Sequence, residues 1–272
     1  MNRAQWNQLA DEFETEVCDI AREGTDDQLK RLVGFVGLSP KNSVLVDLGC
    51  GLGSFIRKFH NRFAKITGVE FAPRIIARAK KNCAKVPRTR WLTMPIPQSV
   101  KTIGTVADLT VCMNVITSPK LAERRAIWKA IANVTKPNGY ALIVVPSLES
   151  EHMVQQASGE ALPAQLAGGL VQRDDAVQKH FERRELEPIL ARYGFAPVRI
   201  GRIYYPWAKE GMRKPRAATS NPWDWVCLAQ RRDSSSARTA ARGPGNPIRT
   251  RPMSAGSPSR VRSRRPRSGS AE

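Results

Sequence analysis

The sequence predicts an α/β fold: a doubly wound, mostly parallel, seven-stranded sheet with helices before it and a basic tail after it. Three observations lead there. From Ser43 onward, short apolar runs alternate with segments whose apolar residues recur every three or four positions. A compact apolar run suits a strand buried on both faces, and the longer period suits a helix packed on the sheet. The first apolar run ends in an acid and a glycine-rich turn, Asp47-Leu48-Gly49-Cys50-Gly51-Leu52-Gly53. Residues 231–272, finally, are dominated by Ser, Arg, Pro, Gly and Ala and offer no core.

Taken in order, Trp6, Leu9, Phe13, Val17 and Ile20 lie on one stripe and predict a single amphipathic helix. Thr25 and Gln28 resemble a capping box that opens a second helix. Leu29, Leu32, Val33 and Val36 are its buried face, with Gly37 and Pro40 as its stop. Residues 1–39 therefore read as a helical lid or cap, 40–230 as the main domain and 231–272 as a disordered tail. Strands are expected over 43–47, 65–70, 90–94, 108–115 and 140–145, the last after an Asn138-Gly139 turn. Helices are expected over 54–63, from Pro73 onward with Ile75, Ile76 and Ala79 inward, and over 121–134. Pro95 and Pro97 cut the third strand short. Residues 150–175 read as a long loop with a helical piece. A helix over 175–193 follows, kinked or split at Pro188. Runs at 198–205 and 225–229 supply the last two strands.

The 272 residues carry a net charge of +20, unevenly spread. Residues 231–272 hold 11 of the 44 Lys and Arg but 2 of the 24 Asp and Glu, so the tail is strongly basic and the body moderately so. Like-charge blocks are usually solvated, and only sometimes binding arms. No apolar run nears the roughly 18 residues that span a bilayer. The polar, acidic N-terminus is unlike a signal peptide, and a cytoplasmic location is the expectation. Five scattered cysteines form no C-x-x-C pair, so neither a disulfide framework nor a metal site is expected; they read as small buried residues.

Chemistry concentrates at Val46–Ser54. Glycines at alternate positions let a backbone approach a ligand where side chains would clash. The following helix start offers unpaired N–H groups. Glu70 ends the second strand, beside the same crevice, where a carboxylate can accept both hydroxyls of a ribose. This arrangement, D-x-G-x-G-x-G followed by a strand-two Glu, resembles the class I S-adenosylmethionine-dependent methyltransferases over roughly residues 40–230. The resemblance implies a Rossmann-like fold and S-adenosyl-L-methionine as cofactor. It places Asp47, Gly49, Cys50, Gly51 and Gly53 around the methionine moiety, Glu70 at the ribose and Phe71 and Ala72 at the adenine. Asn114 matches the strand-four position against the methionine end, and Lys136-Pro137-Asn138-Gly139 resembles the turn before strand five. The acid that relatives often place after strand three is missing, since this chain reads Met94-Pro95-Ile96. A dinucleotide fingerprint would instead need a third glycine where Ser54 stands, which weighs against a nicotinamide-dependent oxidoreductase.

The acceptor is less legible. The sulfonium already activates the methyl group, so alignment matters more than a special catalytic residue. His152 is the candidate base, set against an ordinary surface histidine. Pro146, Ser147 and Tyr205 are candidates for an acceptor pocket. Neither a (D/N)-P-P-(Y/F) motif nor a Pro-Cys nucleophile is present, which disfavours nucleic-acid substrates. The expected acceptor is a small molecule. An RNA- or ribosome-associated role, through the basic body and tail, is the alternative.

Overall fold

The computed structural model describes residues 3–159, 168–173, 176–216 and 218–233. Strands β1 (Val44–Leu48), β2 (Lys65–Glu70), β3 (Thr89–Thr93), β4 (Ala107–Met113) and β5 (Thr135–Pro146) are parallel; β9 (Trp223–Arg231) pairs antiparallel with β5, and β8 (Phe195–Tyr204) pairs antiparallel with β9. The order is β3-β2-β1-β4-β5-β9-β8, so the chain winds outward from β1 in one direction and from β4 in the other. That reversal opens a crevice above the carboxyl ends of β1 and β4, the usual ligand position in such sheets.

Helices α3 (Asp26–Gly34), α4 (Ser54–Phe59) and α5 (Pro73–Asn82) lie on one face. There Leu29, Phe55 and Ile56 pack with Leu45 and Ile66. Helices α6 (Ile96–Ile103), α7 (Leu121–Val134) and α9 (Arg183–Arg192) cover the other. Ile131, Leu186 and Leu190 pack there with Val46 and Val69, the alternate residues of the same strands. Four cysteines are buried and Cys18 is half-buried, and all five are free thiols. No helix among the described residues is long and apolar enough to cross a membrane.

Several expectations need correction. The first stripe is not one helix: α1 (Arg3–Gln8) and α2 (Phe13–Glu16) are separated by turns. The break is made by α5, whose Arg74 donates to the Asn7 carbonyl at 3.1 Å and whose Arg78 donates to the Ala10 carbonyl. Charged donors thus satisfy the helix end that a longer helix would have satisfied internally. The capping box of α3 does not form, as the Thr25 hydroxyl donates to the Ile20 carbonyl. Gln28 exchanges two hydrogen bonds with the Tyr204 backbone, at 3.3 and 3.4 Å.

Helix α6, absent from the sequence reading, starts at Ile96 with Pro97 in its first turn, where proline costs no hydrogen bond. The helical piece within 150–175 is α8 (Leu148–Ser158). A hairpin of β6 (Leu170–Arg173) and β7 (Ala176–Lys179) occupies the start of the expected helix over 175–193. Lys179, almost fully buried, turns inward to Glu185 at 2.8 Å. Helix α9 begins only at Arg183, through a capping box between Glu182 and Glu185, and runs through Pro188 unbroken. Strand β9 extends to Arg231, and Arg232 donates to the Gly194 carbonyl at 2.8 Å, so the domain enters the segment read as tail. The rest of that tail, 234–272, lies outside the described residues.

Candidate active site

A cavity of about 720 Å³ opens above β1, β2 and β4. The turn after β1 enters its wall because its glycines hold left-handed backbone, Gly49 at φ 77° and Gly51 at φ 51°. Each is also tightly approached. A Cβ on Gly49 would stand 2.4 Å from Val115, and one on Gly51 would stand 3.1 Å from the Phe13 ring. Phe13, with Trp6 and Val17, thus carries the N-terminal segment over the loop.

Three carboxyl groups face the glycine-turn end of this space: Asp19, Asp47 and Glu70. Burial, and then the charges of Asp19 and Glu70, push the Asp47 carboxyl up to about 8. Burial also raises Glu70, opposed by the backbone N–H groups of Ala72, Phe71 and Gly51; that of Ala72 donates to Oε1 at 3.0 Å. Asp19 is raised by burial as well, against the Ser54 hydroxyl at 2.5 Å and the Ala21 N–H at 3.2 Å. Acids crowded in a weakly screened space hold protons until a cation or hydroxyl donors replace the missing solvent. Asn114, just past β4 at φ 53°, donates from Nδ2 to the buried Asp224 at 2.7 Å. Its Oδ1 is enclosed and accepts no hydrogen bond among the described residues, which suits a donor on a ligand.

The residues expected from sequence divide by position. Asp47, Gly49, Cys50, Gly51, Glu70, Phe71 and Asn114 all line the cavity. Gly53 does not: it caps α4 at φ 76°, and a Cβ there would meet Cys83 Sγ at 2.8 Å, so its work is packing. Ala72 is fully buried behind the wall and acts through its N–H on Glu70. Pro146, Ser147, Tyr205 and His152 also lie outside the wall. Pro146 pairs in register with Asp224. Ser147 caps α8, accepting from the Ser150 N–H at 3.1 Å, and His152 lies on that helix. The buried Tyr205 hydroxyl donates to Glu210 at 2.7 Å.

Other residues complete the cavity. The wall continues through Pro95–Pro97, Thr117–Lys120 and Glu123, and is closed by Ala176–Gln178 of β7. None was read from sequence. Pro95-Ile96-Pro97 carried a usable signal, since proline in a first helical turn was recognised at Pro73. The β7 contribution carried none, because a four-residue strand in a hairpin has too little pattern to see.

The family model described as a methyltransferase domain matches residues 45–139, from β1 to the start of β5. No curated protein sequence matches the chain. Solved structures do. The 1,6-didemethyltoxoflavin N1-methyltransferase of Burkholderia thailandensis, solved with 1,6-didemethyltoxoflavin and S-adenosylhomocysteine, is 16% identical. The match has a TM-score of 0.57 and covers 85% of this chain and 87% of that one. The N-methyltransferase NodS of Bradyrhizobium japonicum, in complex with S-adenosylhomocysteine, is 15% identical at a TM-score of 0.59, over 86% of this chain and 100% of that one. The geranyl diphosphate C-methyltransferase of Streptomyces coelicolor is 14% identical at 0.52, over 76% and 77%. These likenesses establish the fold, which is that of S-adenosylmethionine-dependent methyltransferases, and the family match gives residues 45–139 as similar to a methyltransferase domain.

Proposed function

We propose that the chain transfers a methyl group from S-adenosylmethionine to a small-molecule acceptor, with both held in the one cavity. The observation that carries this reading is the cavity's continuity. It runs from Glu70 and the glycine turn to β7 beneath a roof made by Trp6, Phe13 and Val17, a shape suited to enclosing small ligands. When bound, the cofactor supplies an electrophilic methyl on a cationic sulfur.

Glu70 is placed to accept the ribose hydroxyls. Gly49 and Gly51 let the backbone approach the methionine half, and Asp47 and Asp19 set negative charge beside it. Asn114 Oδ1 offers a further acceptor at the end of β4. At the far end, Val115, Ile127 and Val177 give an apolar surface, with Thr117, Ser118 and Gln178 for orientation. Among the described residues, the ionisable side chains on that side are Lys120 and Glu123, which pair with each other at 3.2 Å. Catalysis by alignment of acceptor and methyl group, with water excluded by the roof, fits this wall better than a dedicated base. The compounds held by two of the structural relatives, a didemethyltoxoflavin and geranyl diphosphate, are small molecules.

The test is a screen with methyl-labelled cofactor against small-molecule and RNA pools. Label in a small molecule, lost with Glu70→Ala, is the expected result. Label confined to RNA would overturn the choice of acceptor.

A further inference from the structure

The basic charge of the body is concentrated. Between Leu48 and Ala107 stand twelve Lys or Arg and one acid, Glu70, which is buried in the cavity. Three of the twelve are neutralised from outside the stretch, Lys58 by Asp26, Arg74 by Asp11 and Arg78 by Glu14. The others have no ion pair among the described residues. Their position is set by topology. Arg57 is in the last turn of α4, while Lys81 and Lys85 end and follow α5. Lys65 starts β2, and Arg62 and Arg88 precede β2 and β3. In parallel β-α units the helix ends and the strand starts share one end of the sheet, so these six charges gather at the end opposite the cavity. Arg57, Lys81 and Lys85 line one groove there with His60 and Asn82. Arg88 holds a left-handed backbone at φ 56°, a conformation that Gly or Asn would adopt at less cost.

We infer that this face is a docking surface for the phosphodiester backbone of a double-stranded nucleic acid. Two observations select that partner. The groove lined by Arg57, His60, Lys81, Asn82, Ala84, Lys85 and Val86 includes none of the large apolar side chains exposed among the described residues, which are Phe35, Leu121, Val198 and Tyr204. A protein partner needs an apolar or aromatic centre to its interface, whereas phosphate binding does not. The groove also holds no Phe, Tyr or Trp ring, so it lacks the stacking platform that single strands use, and its charges suit backbone contacts that carry no sequence information. Since the cavity opens at the other end of the sheet, the duplex is tethered rather than methylated. The inference thus stands apart from the choice of acceptor.

The test uses the full chain, tail included. Binding of a duplex RNA and a duplex DNA is measured as a function of salt for three proteins. They are the wild type, the triple variant Arg57→Gln/Lys81→Gln/Lys85→Gln, and a control with the same charge change on helices α7 and α9, Arg125→Gln/Lys129→Gln/Arg184→Gln. S-adenosylhomocysteine titration and circular dichroism check that each is folded. The triple variant should lower the slope of log affinity against log salt by about 2.7, at roughly 0.9 per phosphate contact. The control should keep the wild-type slope. Equal slopes for the two variants would overturn the inference, because the affinity would then belong to net charge or to the tail. Tighter binding of single strands, or of an acidic polypeptide, than of either duplex would overturn it as well.

Discussion

Glu70 shows how a strand end carries a single side chain into the cavity. Its place at the end of β2 is read directly from the apolar run before it, and its carboxylate sits in a nearly closed site steadied by the Ala72 N–H. Glu70→Ala should weaken S-adenosylhomocysteine binding by about 1.5–3 kcal/mol, the worth of hydrogen bonds to a charged group, as read by calorimetric titration. Gly51→Val should abolish that binding while circular dichroism stays native, since the new side chain meets both a positive φ and the Phe13 ring. Asp47 makes a pH prediction. Its carboxyl is raised from 3.8 to about 8, so the folded protein holds a proton that the unfolded chain releases. The resulting stabilisation is full below 3.8 and is lost as pH rises through about 8. Melting temperature of the free protein should therefore fall over that window, and Asp47→Asn should flatten the fall. At neutral pH, binding a cationic ligand should expel the proton, visible as a buffer-dependent heat in calorimetry.

Among the elements, those with a long pattern were legible. Helix α7 and strand β2 have the bounds that their periodicity implies, because a face buried against the sheet repeats over enough residues to be recognised. The N-terminal stripe misled because its apolar spacing is real but its partners are distant. Ala10 and Phe13 are buried under α5 and the glycine turn rather than along one helix. The segment is held to α5 by Arg78 on Glu14 and by Arg74 on Asp11 at 2.5 Å. Both pairs are partly exposed, and such pairs contribute about 0.2–1 kcal/mol each. Arg78→Ala should therefore cost little melting temperature, yet speed amide exchange across residues 3–17 and shorten the residence time of a bound cofactor analogue. Unchanged exchange there would show that Phe13 packing alone holds the roof.

For the whole molecule, the sheet closes at β9 and Arg232 makes its backbone bond to Gly194, so the described core is complete by Asp233. Removing residues 234–272 should leave melting temperature and S-adenosylhomocysteine affinity nearly unchanged, because beyond alanine that segment offers only Ile248, Met253 and Val261 as apolar side chains, too few for a core. A large drop in melting temperature would place part of the segment on the domain. By itself, the sequence determined the winding of the sheet and the glycine-turn end of the cavity. A parallel strand buried on both faces must be a continuous apolar run, and a turn that holds positive φ against a ligand calls for glycine. Both demands are local, and both are written in consecutive residues. Tertiary structure alone decided the far wall of the cavity, the break between α1 and α2 and the hairpin of β6 and β7. Those features depend on contacts between residues far apart in the chain, such as Arg78 with Ala10 and Gln28 with Tyr204. Such contacts are worth about as much as a helix cap or a turn, roughly 1 kcal/mol, so they override local preference without leaving a local pattern.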